Sequence, residues 1–257
     1  MKSEPLSHNS TVSSQFGPRA SDYLKSPVHA TGKDLNMLQE VVKGQKDANV
    51  LDMGCGGGHV SFAVAPFVRQ VIAFDLAPEM LDIVSSEATK QNLSNIETAL
   101  GDIKSLPFSN ESFDYVLSRF SAHHWFNLKS GLTEAYRVLK LNGKAVFIDV
   151  TSPVTPKLDT HLQAIEILRD ISHVRDYAVR EWEEALESNG LRMLKQSMLR
   201  LRLDFSSWIQ RMHTPENRVC AILDLQRLAP EEVKHYFEIE PDDSFTVDVT
   251  IFEAIKS

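Results

Sequence analysis

The stretch Asn49–Ala65, NVLDMGCGGGHVSFAVA, decides the fold. An apolar run ending at Met53 leads into four glycines between Gly54 and Gly58, after which an Ala/Val-rich run resumes. Glycine weakens regular structure, but it opens torsions closed to other residues and lets backbone approach a ligand. The run before the glycines reads as a strand and the run after them as a helix. Backbone amides at such a turn can hold an anion, and the helix start favours negative charge. The glycines alone do not name the ligand, because tight turns and dinucleotide sites use similar residues.

Outward from this turn, strands and helices alternate. QVIAFD, NIETALGD, FDYVLSR and GKAVFIDV read as further strands by their β-branched and aromatic content. HVSFAVAPFV, PEMLDIVSSEATKQN and LKSGLTEAYRVLK read as helices. Pro78 suits a first helical position, Glu79 the positive end beside it, and Asn142-Gly143 marks a tight turn before the next strand. Strand and helix in repeated succession imply a parallel sheet covered on both faces, with ligands outside the carboxyl ends of its strands. Beyond Val150, KLDTHLQAIEILRDISHVRDYA starts helical and loosens, and REWEEALESNG is a covering helix closed by Gly190. LRMLKQSMLRLRLDF alternates, SSWIQRMHTPENRVCAILDLQRL and PEEVKHYF are helical, and FTVDVTIFEAI is a final strand.

Composition narrows the class. With 257 residues, 42% hydrophobic and 24% charged, the chain suits one large soluble domain with a real core. The first residues, MKSEPLSHNS, lack the apolar core of a signal peptide, and no apolar run is long enough for a bilayer. Cys55 and Cys220 are the only cysteines, which fits a reducing cytoplasm. A formal charge of −8 argues against a broad nucleic-acid-binding surface. Oligomeric state is not legible.

Three acids fall at three successive strand ends: Asp52, Asp75 and Asp102. A carboxylate at the second strand end can accept from ribose hydroxyls, and one at the third can meet an exocyclic amine. Each alone is an ordinary helix cap; together they describe a pocket for an adenosyl group.

VLDMGCGGGHVS, VIAFDLAPEML, GDIKSLPFSNESFDYVLSRFSAHHW and EAYRVLKLNGKAVFID resemble the successive motifs of class I S-adenosylmethionine-dependent methyltransferases. The resemblance is to methyltransferase type 11, the ubiquinone/menaquinone-type and YafE-like group, and FGPRASDYLKSPVHA, LRDISHVRDYA and FSSWIQRMHTPE extend it outside the core. LKLNGK departs from the family's usual Pro-Gly-Gly, though Asn142 can take the left-handed conformation. The resemblance implies a Rossmann-like α/β fold, doubly wound, with a mostly parallel seven-stranded sheet, an antiparallel last strand and helical cap insertions. It implies an N-terminal helical lid over residues 1–45, a cofactor-binding core over 46–150, and remaining strands with substrate-cap segments over 151–257, about 155–180 and 205–237. It also implies S-adenosyl-L-methionine as cofactor, S-adenosyl-L-homocysteine as product and a small-molecule acceptor. Asp52 and the backbone of Gly54, Cys55, Gly56 and Gly58 would embrace the methionine end. Asp75 would bind ribose, with Leu76 and Met80 against the adenine, and Asp102 and Ile103 would contact its edge and face. Ser118 and Arg119 would lie near the sulfonium, and Tyr23 and His29 would belong to the closing segment.

Methyl transfer from a sulfonium is an in-line displacement, so the protein's main task is to hold nucleophile and methyl carbon close, aligned and dry. A general base is needed only if the nucleophile must lose a proton. In SAHHW, His123 and His124 sit at the expected cleft mouth; adjacent residues diverge, so one should face it, and His124 is the candidate. His173, in the donor- and acceptor-rich RDISHVRDY, is a second catalytic candidate. Arg175, Tyr177, Trp208 and Arg211 are candidate substrate contacts, the arginines for an anionic or polar acceptor, unless carboxylates within the chain pair with them. A metal is not expected, since neither a His-x-x-x-His pair with an acid nor paired cysteines occur. Two rival readings keep the fold: an NAD-type oxidoreductase, which leaves Asp52 and Asp102 unexplained, and a protein that binds the cofactor without transferring methyl.

Overall fold

The computed structural model describes residues 7–25 and 32–257, Lys25 without its side chain. His29 lies outside them. Three helices, α1 (His8–Phe16), α2 (Ala20–Lys25) and α3 (Lys33–Val42), precede the first strand. The chain then runs β1 (Asn49–Met53), α4 (His59–Val64), β2 (Gln70–Asp75), α5 (Pro78–Lys90), β3 (Ile96–Leu100), β4 (Phe113–Arg119), α6 (Leu128–Val138) and β5 (Leu139–Val150). It continues with α7 (Pro156–Arg169), α8 (Val179–Ser188), β6 (Leu191–Leu203), α9 (Phe205–Met212), α10 (Glu216–Arg227), α11 (Glu231–Tyr236) and β7 (Phe245–Lys256).

The seven strands form one sheet in the order β3-β2-β1-β4-β5-β7-β6. β1 to β5 pair in parallel, while β7 runs antiparallel between β5 and β6. This is the Rossmann-like, doubly wound sheet expected. The chain winds one way from β1 to β3 and the other way from β4, so the carboxyl ends of β1 and β4 meet at the switch point where such sheets bind ligands.

Alternation along the strands builds a core on each face, since successive side chains point to opposite sides. Val50, Val71, Tyr115 and Val146 pack with Leu38 of α3 and Val64 of α4. Leu51, Phe74, Val116 and Phe147 pack with Leu132 of α6 and Trp182 of α8. Trp182 stacks on Phe252 of β7, ring centroids 5.0 Å apart, tying the last strand to that layer.

Two local expectations change. Asn142-Gly143 does not separate a helix from a strand, because β5 already begins at Leu139. Leu139 pairs with Phe113 and Lys144 with Tyr115, so the intervening residues bulge, with Asn142 at φ 62°. The helical stretch after β6 is two helices. His213 takes φ 49° and its amide returns to the carbonyls of Ile209 and Gln210, which ends α9. Among the described residues no helix is long and apolar enough to cross a membrane.

Candidate functional site

A cavity of about 490 Å³ opens at the carboxyl ends of β1, β2, β3 and β4. Its floor is the glycine turn, where Gly54, Gly56 and Gly58 all adopt positive φ (76°, 50° and 85°). Gly54 also has no room for a side chain: a Cβ there would stand 2.0 Å from Ser121 Oγ. The turn is stitched to β2, for Gly54 and Cys55 donate their amides to the Phe74 carbonyl and Gly56 donates to Asp75 Oδ2 at 2.9 Å.

The three strand-end acids line this cavity together. Asp52 Oδ2 accepts from the Ser61 amide (3.0 Å) and hydroxyl (2.6 Å), while no donor among the described residues reaches its Oδ1. Burial pushes its carboxyl up to about 7, against the pull of the Ser61 hydrogen bonds. Asp75 is bridged between the turn and α5, its Oδ1 accepting from the Ala77 amide at 3.0 Å, and burial raises it too. Asp102 differs. Burial works to raise it, but the Lys104 amide, Asn9 and the Lys104 ammonium hold it below the usual carboxylate range. Cys55 lies on the same wall, its thiol pushed well up by burial and then by Asp75 and Asp52.

The remaining expected cofactor contacts divide. Tyr23, Leu76, Met80, Ile103 and Arg119 line the cavity. Arg119 is buried and its Nε donates to Asp34 Oδ2 at 2.5 Å. Ser118 and Gly58 stand behind the walls. The Ser118 hydroxyl donates to the Met53 carbonyl, joining β4 to β1, and a Cβ at Gly58 would meet Phe62 and Val84 at 2.8 Å. The resemblance implies a lid over residues 1–45 but singles out none of the α1 residues on the cavity; His8, Asn9, Val12 and Phe16 form one side. The composition of α1 is polar, and only Ser7, capping the helix through the Ser10 amide, is a recognisable signal.

A second cavity of about 60 Å³ adjoins the first, sharing Phe16, Tyr23, Phe120 and His124 as common wall. Of the two adjacent histidines only His124 lines the larger cavity, whereas both line the second. Both lie in a 3₁₀ turn, Ala122–His124, and their rings are 4.2 Å apart. His123 Nδ1 meets Asp149 Oδ1 at 2.5 Å. Burial alone would lower its pKa, but Asp149 overrides that and lifts it to about 9, so the His123 ring is charged at neutral pH. His124 is driven the other way by burial and the neighbouring His123 charge. His173 lies outside both walls, its Nε2 3.0 Å from Gln163 Oε1, and burial with its histidine neighbours lowers it to about 2. Both of these rings are neutral at physiological pH.

Of the expected substrate contacts, Trp208 and Arg211 line the second cavity. Arg211 lies 5.7 Å from the centroid of Tyr23, and Trp208 carries the Arg169 guanidinium 4.9 Å from its own. Arg175 and Tyr177 do not line it. Arg175 bonds Glu181 at 3.2 Å and Asp159 at 3.3 Å, the internal pairing weighed against a substrate role, though with other carboxylates than its immediate neighbours. Tyr177 packs at the edge of Trp182. Glu166 and Asp176 also line the second cavity. Neither was expected there, because nothing local to α7 or the loop after it says which charges turn inward. His123, Asp149 and Asp176 bring their polar atoms within 4.8 Å of one another, a grouping invisible to motif spacing. Two of those atoms are already bonded together as the His123–Asp149 pair.

Comparison with known proteins agrees with this geometry. A methyltransferase-domain family model matches residues 51–147. YafE of Escherichia coli is 42% identical over 79% of this chain and 99% of its own. The methyltransferase YcgJ of Bacillus subtilis is 31% identical over 96% of this chain and 99% of its own. The crystal structure of YcgJ superposes with a TM-score of 0.83, covering 86% of this chain and 97% of that one. A demethylmenaquinone methyltransferase of Listeria monocytogenes is 33% identical over 46% of this chain and 51% of its own.

Proposed function

The chain belongs to the class I S-adenosylmethionine-dependent methyltransferases, and we propose that it moves the methyl group to a small-molecule acceptor seated in the second cavity. The observation that carries this reading is the shared wall: a cofactor-sized chamber and a smaller polar one meet at Phe16, Tyr23, Phe120 and His124. About 490 Å³ lies within the range of pockets that bury whole small ligands. Family membership sets aside the dinucleotide-dependent oxidoreductase.

The residues present suit the cofactor. Asp75, already fixed by the Gly56 and Ala77 amides, has the placement to take ribose hydroxyls, and Asp102 at the neighbouring strand end to take the adenine amine. Asp52, with one oxygen lacking a donor, faces the region where a methionine ammonium would lie. When bound, S-adenosylmethionine supplies an electrophilic methyl on a sulfonium. The aromatic wall excludes water from the passage between chambers, and the surrounding carboxylates and guanidiniums orient the acceptor.

Calorimetry with S-adenosylhomocysteine and with NAD tests the cofactor assignment. The first should bind and the second should not, and Asp75→Ala should weaken S-adenosylhomocysteine by about 1–3 kcal/mol, the cost of leaving polar partners unpaired. Equal affinity in both proteins would remove Asp75 from the site. Demethylated cofactor formed only when an acceptor is present separates transfer from mere binding.

A further inference from the structure

We infer that Asp176 is the proton acceptor of the second cavity, so that the methyl acceptor is a compact protic molecule presenting a hydroxyl to its carboxylate. This rests on the methyl-transfer reading and names the acceptor chemistry within it.

The case begins with a buried polar atom. Asp176 is 1% exposed and lines the second cavity, yet no hydrogen-bond donor among the described residues reaches its Oδ2. Leaving such an atom unpaired is costly, so its retention calls for a purpose. The backbone around it is not loose. Gln163 on α7 grips the Asp176 peptide from both sides, its Oε1 accepting from the Asp176 amide at 3.1 Å and its Nε2 donating to the carbonyl at 2.8 Å. The side chain is therefore presented by a fixed support.

The neighbours that could satisfy Oδ2 are otherwise engaged. His173 Nε2 is 3.9 Å away, too far to donate, and bonds Gln163 Oε1 instead. His123 is paired with Asp149, and Arg175 with Glu181 and Asp159. Arg169 donates to the Trp208 carbonyl and faces Glu166. No donor among the described residues reaches Oδ2, and a hydroxyl brought into the cavity that Asp176 lines can supply one. About 60 Å³ admits roughly four water-sized groups, which fits the reacting end of a small molecule.

Burial and the nearby Glu166 raise the Asp176 carboxyl well above its ordinary value, so its ionised form is a strong base but is populated only as the pH rises towards that raised value. The step balances simply. An oxygen lone pair of the hydroxyl forms the bond to the methyl carbon, and the carbon–sulfur bond breaks with its electrons going to sulfur. The hydroxyl proton passes to Asp176, leaving a neutral carboxylic acid, a methyl ether and a neutral thioether.

A pair of fluorinated probes sized to the cavity tests this without knowledge of the natural acceptor: 2,2,2-trifluoroethanol and its methyl ether, followed by ¹⁹F NMR on the protein saturated with S-adenosylhomocysteine. At a pH high enough to ionise Asp176 the alcohol should bind about tenfold more tightly than the ether, the worth of one hydrogen bond to a charged group, and the preference should shrink as the pH is lowered. Asp176→Ala should abolish that preference while S-adenosylhomocysteine affinity stays unchanged. Asp176→Asn, which keeps an accepting oxygen, should retain a reduced preference and guards against a folding artefact. Equal binding of alcohol and ether, binding of neither, or a preference that survives in Asp176→Ala overturns the proposal. Failure of S-adenosylhomocysteine itself to bind would instead remove the methyl-transfer reading on which it stands.

Discussion

Asn9 donates its side-chain amide to Asp102 Oδ2 across 2.5 Å, fastening the first described helix to the loop after β3. The contact joins residues 93 positions apart, and both line the larger cavity. If Asp102 takes the adenine amine, as proposed, that amine competes with Asn9 for the carboxylate and the fastening loosens as cofactor enters or leaves. Asn9→Ala should speed both association and dissociation of S-adenosylhomocysteine in stopped-flow measurements, each by about 3–10-fold, with the equilibrium constant changing less than either rate. Unchanged rates would mean that α1 does not gate the cavity.

If Asp52 meets the cofactor's ammonium, as proposed, it sets a pH dependence for binding. Its carboxyl is held up to about 7 and one of its oxygens lacks a donor among the described residues. Below that pH it is neutral and offers little to a cation; above it, the ionised form attracts the cofactor's ammonium. Affinity for S-adenosylhomocysteine should therefore rise between about pH 6 and pH 8, and Asp52→Asn should flatten the curve. A wild-type curve as flat as the variant's would show that the ammonium lies elsewhere.

His161, on α7, is buried against Phe237, its Nε2 without a partner among the described residues, and burial together with Lys157 lowers it from 6.5 to about 4. A histidine depressed in the folded state takes up its proton more readily once unfolded. Its contribution to stability is whole above pH 6.5 and is lost as pH falls towards 4. Melting curves of His161→Leu should accordingly lose less stability than wild type over that interval. Parallel curves would place the titration on other groups.

Gln226 sits on α10 at 0% exposure, and neither its amide oxygen nor its nitrogen has a hydrogen-bond partner among the described residues. Methionine has a similar volume and no such groups to satisfy. Gln226→Met should raise the melting temperature by a few degrees, reflecting about 1–3 kcal/mol of relieved desolvation. A lower melting temperature would reveal a partner for this amide, such as a buried water.

What could be read beforehand follows from the range of each signal. β1, β2 and β4 coincide with the runs NVLDM, QVIAFD and FDYVLSR, because strand composition is a local signal. The start of β5 was misplaced, since Asn142-Gly143 makes the same left-handed bend in a turn and in a bulge. Asp52, Asp75 and Asp102 were legible as a set because parallel strands put their carboxyl ends on one edge. Arg175 was not, because a charged residue carries no record of its partner, and Glu181 waits on the next helix. Asn9 and Asp176 acquire their meaning only when distant segments meet.

The position of β7 bears on how the molecule is made. The five strands from β1 to β5 can pair as they leave the ribosome, but β6, synthesised next, has no neighbour until residues 245–256 arrive to fill the gap between it and β5. Until then the β5 edge and both edges of β6 carry open backbone groups, and the Trp182 ring lacks the Phe252 surface on which it stacks. Nascent chains stalled before Phe245 are the species most exposed to mispairing, and closure of this sheet is a late event of translation.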